Sequence, residues 1–250
     1  MKIRKKTAKL PKAARPLFLV GYPIAPEPAD LMVWFDREYG GPLRLAAPAD
    51  NLVRSASHGP WAAGLIPALP LERAELLKEQ LGWSHPSAGS VLPAAMKPGM
   101  AADLVLFAAR LARGLTLLGQ GTAYDVVAHR YLNPSDWLDR RLDRFDPEDH
   151  VVTDQEDCPE TASVRYVTRG LEKFGLDELE TVRPVGLPER EPLELLRGAA
   201  EELIKIGVSP KVGATFSLPS LGLTVLVARH RTAQGSQGPV SIREIVAATP

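Results

Sequence analysis

Cysteine occurs once, at Cys158, so no disulfide can close within the chain and a zinc site of the usual cysteine type cannot be built. Net charge is zero, from 30 basic and 30 acidic side chains, so the whole-molecule positive field of a nucleic-acid binder is missing. Long apolar runs are missing too. Leu17-Phe18-Leu19-Val20 is too short for the core of a secretory signal and runs into Gly21 and Pro23, and the apolar stretch 104–118 is cut by Arg110 and Arg113. A reducing cytoplasm, with no membrane span, is the expected setting. Neither of the phosphate-cradling patterns Gly-x-x-x-x-Gly-Lys-Ser/Thr and Gly-x-Gly-x-x-Gly occurs, and no Gly-x-Ser-x-Gly elbow presents a nucleophile. His58, His85, His129, His150 and His230 lie too far apart in sequence for a local zinc motif. No metal and no cofactor are expected.

What the chain does have is pattern. Residues 1–15 form a basic tail with seven cations and no acid before Glu27. Such a tail attracts phosphates, but no aromatic is interleaved to stack on bases, so nucleic-acid contact is expected only weakly and only there. Apolar runs at 17–22, 43–47, 52–57 and 61–66 read as strands, separated by turn residues. Residues 71–81 read as a helix with Ala74, Leu77 and Leu81 on one face and Gly82 after it. Residues 84–99, rich in Pro, Gly and Ser, read as a loop. Residues 100–118 form the strongest helix, with Asp103, Arg110 and Arg113 on one narrow stripe of an otherwise apolar cylinder. Residues 122–132 read as one strand. Asn133-Pro134-Ser135-Asp136 opens another helix, on which Asp136, Asp139, Asp143 and Asp146 share a face and pair with the arginines between them.

Residues 146–160 are acidic and irregular and read as a linker or loop. Beyond them come strands at 164–168 and 181–185 and a helix at 192–206. Strands at 215–218 and 223–229 follow, joined as a hairpin through 219–222. Strands and helices mix without strict alternation. The expected class is therefore α+β, a mainly antiparallel sheet with helices packed on one face. The division is a basic flexible tail (1–15), a first α+β part (16–145), the acidic segment (146–160), a second part of comparable kind (161–231) and a polar C-terminal tail (232–250).

The most distinctive stretch is 168–179, Thr-Arg-Gly-Leu-Glu-Lys-Phe-Gly-Leu-Asp-Glu-Leu. Its glycines suit positive φ beside a strand, Phe174 and Leu179 suit a core, and Glu178 suits either a cap on exposed amides or a partner for Arg169. The stretch resembles a bacterial family built on a domain of unknown function, whose members carry Thr-x-Gly-x-x-x-Phe-Gly-x-Pro-Glu-Leu. Thr168, Gly170, Phe174, Gly175, Glu178 and Leu179 match, while Asp177 stands where proline is usual. Gly121-Thr122-Ala123-Tyr124-Asp125 and Leu132-Asn133-Pro134-Ser135-Asp136-Trp137 look similar to pieces of the same family. The resemblance implies a bacterial cytosolic α+β protein. It brings no catalytic residue and no cofactor.

Loops held by a rigid sheet often carry function, which makes Thr168, Arg169 and Glu178 candidate binding residues. His58, next to Ser57 in a turn, has the chemistry of a general base; His129, on a strand, reads by default as a hydrogen-bonded structural histidine, and with His58, Tyr124 and Asp125 it makes up a candidate ligand site. The expected function is a noncatalytic cytosolic interaction or binding domain of accessory or immunity type, with a protein as its partner. The competing class is a hydrolase or small-ligand enzyme, its site assembled from distant residues around His58 and His129.

Overall fold

The computed structural model describes residues 15–48, 52–93, 101–140, 142–235 and 238–248. The basic tail expected over 1–15 lies outside them except for Arg15. In chain order the first half runs β1 (Phe18–Tyr22), α1 (Pro28–Tyr39), β2 (Arg44–Leu45), β3 (Arg54–His58), β4 (Trp61–Ile66), α2 (Leu71–Leu81), β5 (Ser87–Pro93), α3 (Ala101–Gly119), β6 (Thr122–Asp125), β7 (Arg130–Leu132) and α4 (Pro134–Leu138). The second half runs β8 (Val152–Cys158), β9 (Ser163–Arg169), β10 (Glu178–Pro184), α5 (Arg190–Ile206), β11 (Thr215–Leu218), β12 (Leu223–Gly235) and β13 (Gly238–Ala247).

The fold is α+β, with two mainly antiparallel sheets. The first has the order β2-β3-β4-β5-β1-β6-β7 and is antiparallel throughout. The second has the order β11-β12-β13-β10-β9-β8, and only β10 and β13 run parallel in it. Phe18, Val20 and Tyr22 of β1 meet Trp34 and Phe35 of α1 and Phe107, Leu111 and Leu115 of α3 in the first core. The shorter α2 covers part of the opposite face, where Ala74 packs with Trp83 and Ala88. In the second half α5 lays Leu196, Ala199, Ala200 and Leu203 on Val164, Tyr166 and Leu179. These helices form where local periodicity puts apolar side chains on one face. Helix α3 also contributes Val105 to the second core, and Phe145 packs against both. The halves therefore share buried material.

Five expectations need correction. The acidic stretch 146–160 is not an irregular linker, because its residues 152–158 form strand β8. Its Asp154 and Glu156 meet Arg169 and Arg165 of β9. Opposite charges across an edge strand stabilise what intrinsic strand preference disfavours. The stretch 232–250 is not a free polar tail, since 232–235 and 238–247 complete the β12–β13 hairpin. Residues 87–93 are not loop but central strand β5, and small residues are needed there because a Cβ on Gly89 would fall 2.2 Å from the Tyr22 hydroxyl.

The helix opening at Asn133 ends at Leu138, so Asp139, Asp143 and Asp146 do not continue a helical face. Arg113 of α3 takes the carbonyl of Trp137, and Arg110 takes those of Leu142 and Asp143, which anchors the chain in a different path. The strand expected over 122–132 is likewise two strands. Asp125 accepts from the amides of Val127 (3.2 Å) and Ala128 (3.0 Å), which makes the turn between them, and His129 closes it at φ +53°.

Candidate functional site

Along β9, Val164 and Tyr166 enter the core under α5, so Arg165, Val167 and Arg169 face the other way. On β10 Leu179 goes inward, while Glu178 and Glu180 take the opposite face. On β12 a bulge between Val227 and Arg229 reverses the alternation, so that Val227 is core and Arg231 is not. This open face of the second sheet looks toward the first half, and a cleft of about 520 Å³ lies between them. Leu17, Val126, Val127 and His129 line it from the first half, and Arg165, Val167, Thr168, Arg169, Arg231 and Ile242 line it from the second.

The distinctive stretch 168–179 forms the deep end. The Glu178 carboxylate accepts from the Thr168 hydroxyl at 2.7 Å, the Gly170 amide at 2.8 Å and the Glu172 amide at 3.2 Å. It is only 4% exposed, and burial pushes its pKa from the ordinary 4.5 up to about 7 against the pull of those three donors. Gly170 adopts φ +125°, and a Cβ there would fall 2.2 Å from the His150 carbonyl, so no other residue fits. Lys173 is fully buried. Its ammonium pairs with Asp125 and donates to the His150 carbonyl at 2.8 Å. Burial lowers the Lys173 pKa, and the neighbouring carboxylate opposes that shift.

Nearer the opening, charges pair across strands. Arg165 binds Glu156, Arg169 binds Asp154, and Arg231 forks onto Glu180 through Nε (2.8 Å) and Nη2 (2.5 Å). Planar guanidinium and planar carboxylate match in such a fork, which fixes the arginine's direction. Among the described residues no group of three or more His, Cys, Asp and Glu is placed to hold a metal ion.

Of the candidate residues, His129, Thr168, Arg169 and Glu178 line this cleft. Asp125 sits behind it as the partner of Lys173, and Tyr124 stacks beside the His129 ring at 6.5 Å between centroids. Burial first, then the Arg169 charge, lowers the pKa of His129. His58 lies elsewhere. Its Nε2 donates to the Gly40 carbonyl at 2.8 Å, and its ring packs on Phe35 (5.2 Å) and Phe107 (6.4 Å) on the α1–α3 side of the first sheet. The structure does not bring His58 and His129 into one cleft.

Several residues of the cleft were invisible to the sequence argument. The partners Glu180 and Arg231 are 51 positions apart and carry no local signal. The β8–β9 pairs did carry one: Asp154 and Glu156, and likewise Arg165 and Arg169, are separated by an even number of positions and so share one face of a strand. Comparison of the chain with protein-family models, curated proteins and solved structures returns no match. Among the described residues no helix is long and apolar enough to cross a membrane.

Proposed function

We propose that the chain is a noncatalytic protein-binding domain of accessory or immunity type, acting in a bacterial cytoplasm, and that the cleft receives its partner. The bacterial setting follows the resemblance carried by residues 168–179. One observation carries the binding reading: the charged groups of the cleft are held in place by partners from within the chain. Glu178 has three donors, Lys173 two acceptors and Arg231 a forked carboxylate. A wall held this way keeps its shape, which limits the ordering cost of docking. The test is to recover a stoichiometric partner at moderate salt with the intact chain and with Val167→Trp, which fills the cleft floor. Loss of the partner from a variant that still unfolds cooperatively supports the reading. Retention removes the cleft from it.

A second reading, a hydrolase or small-ligand enzyme, is favoured by Glu178 itself, since a carboxyl near pH 7 in a cleft beside His129 has the poise of an acid–base group. Turnover abolished by Glu178→Gln in a folded protein would establish it in place of the first.

A further inference from the structure

The cleft is not the only concavity on the open face of the second sheet. A second hollow of about 550 Å³ adjoins it, lined by Cys158, Ser163, Glu180, Val182 and Arg229 among others. Arg165 and Arg231 line both, so the two hollows meet at these guanidinium groups. The result is a groove across the sheet. Aliphatic walls (Val126, Val127, Val167 and Ile242) lie on one side of a waist held by two arginines.

The charge available at the waist is positive. Arg231 keeps 35% of its side chain exposed, whereas its partner Glu180 keeps 3%, so solvent meets the cation and not the anion. The fork uses two of five guanidinium donors and leaves the others for a ligand. Arg165 is 31% exposed in the same groove, but its partner Glu156 is 40% exposed and also lines the cleft, so the unbalanced positive charge at the waist is that of Arg231. Arg15 also lines the cleft, and the fourteen residues before it carry six cations and no acid.

Resting on the binding reading above, we propose that the groove accepts one extended segment of a partner protein, rich in acidic and aliphatic side chains. Its aliphatic side chains fill the cleft between Val126, Val127, Val167 and Ile242, and its carboxylates meet Arg165 and Arg231. Nucleic acid fits this groove less well. Among the described residues that line the cleft there is no Phe, Tyr or Trp to stack a base. Glu156 lines the cleft beside Arg165 and repels a continuous phosphate chain, whereas a peptide can space its carboxylates.

The test pans a random-peptide phage library against the intact chain and measures the enriched peptides by fluorescence anisotropy at low and moderate salt. Two variants address the waist. Arg165→Gln leaves a solvent-exposed partner and spares the fold. Arg231→Gln is paired with Glu180→Gln so that no buried carboxylate is stranded. Val167→Trp addresses the cleft itself. The expected result is acidic, aliphatic peptides whose affinity weakens with salt, falls by at least about tenfold in either waist variant, and is abolished by Val167→Trp. Peptides of other composition, blocked by Val167→Trp but untouched by the waist variants, overturn the acidic segment and leave the binding reading standing. Binding indifferent to all three variants overturns both. No enrichment overturns the extended segment, while a folded partner still lost on Val167→Trp keeps the cleft as its site. A single-stranded RNA probe that outcompetes the best peptide at equal salt also overturns the proposal.

Discussion

The ammonium of Lys173 meets the carboxylate of Asp125 with 0% and 1% of the two side chains exposed, joining the last residue of β6 to the distinctive stretch of the second half. Asp125 also holds the turn after β6 through the amides of Val127 and Ala128, so one side chain shapes the cleft wall and anchors its floor. Such a pair is costly to desolvate but far costlier to break on one side.

Lys173→Met, which strands Asp125, is expected to destabilise the protein by about 3–5 kcal/mol. The double change Lys173→Met with Asp125→Asn is expected to recover much of that loss, because Asn keeps an acceptor for the two turn amides. Urea unfolding of the four proteins in the cycle gives the coupling; additive losses would show that the pair does not act as a unit.

Glu178 predicts a loss of stability toward alkaline pH. Its pKa is raised from 4.5 to about 7 on folding, so its contribution is fully present below 4.5 and is lost as pH rises through 7. The full effect is roughly 3 kcal/mol, from the linkage between pKa and stability. Glu178→Gln keeps an oxygen for the Gly170 and Glu172 amides and should flatten this dependence. Unfolding free energies between about pH 4.5 and pH 8 check it, and an unchanged slope in the variant would refute the assignment.

His150 works in the opposite direction. Its ring is buried, stacks on Phe145 at 5.1 Å, and has no hydrogen-bond partner on either nitrogen among the described residues. Burial, then the Lys173 charge, depresses its pKa well below 6.5. Below 6.5 the unfolded chain takes a proton that the native state refuses, so stability falls with pH by up to about 1.4 kcal/mol per unit. His150→Phe keeps the stacking and should remove that acid-side loss, measured by thermal unfolding across the same range.

The two glycines of the distinctive stretch should differ. Gly175 sits at φ +73° with open space where a Cβ would go, and Gly175→Ala is expected to cost about 1 kcal/mol. Gly170→Ala adds a collision with the His150 carbonyl to its strained φ and should cost well over about 2 kcal/mol. Equal losses in chemical denaturation would argue that the tight approach at Gly170 relaxes freely.

Local pattern was enough for the elements whose signal lies within one turn or one strand. Helix α2 occupies 71–81, β4 occupies 61–66, and the inward face of α5 is Leu196, Ala199, Ala200 and Leu203, all as periodicity dictates. The α+β class follows from the mixture of those elements. Periodicity failed where a distant partner overrides local preference. Asp154 and Glu156 become strand because Arg165 lies across from Glu156 and Arg169 diagonally from Asp154, and 238–247 become strand because β10 and β12 flank them.

The amino-acid sequence by itself determined helices α2, α3 and α5, most strand cores and the density of turn chemistry over 168–179, because these depend on neighbours a few residues apart. Only the tertiary structure decided which candidate residues share a cleft. It put His129, Thr168, Arg169 and Glu178 on one wall system and His58 on another, and through a single bulge it turned Arg231 away from the core. Side-chain direction alternates along a strand, so one inserted residue redirects every residue beyond it, and where two strands meet is set by contacts tens of residues apart.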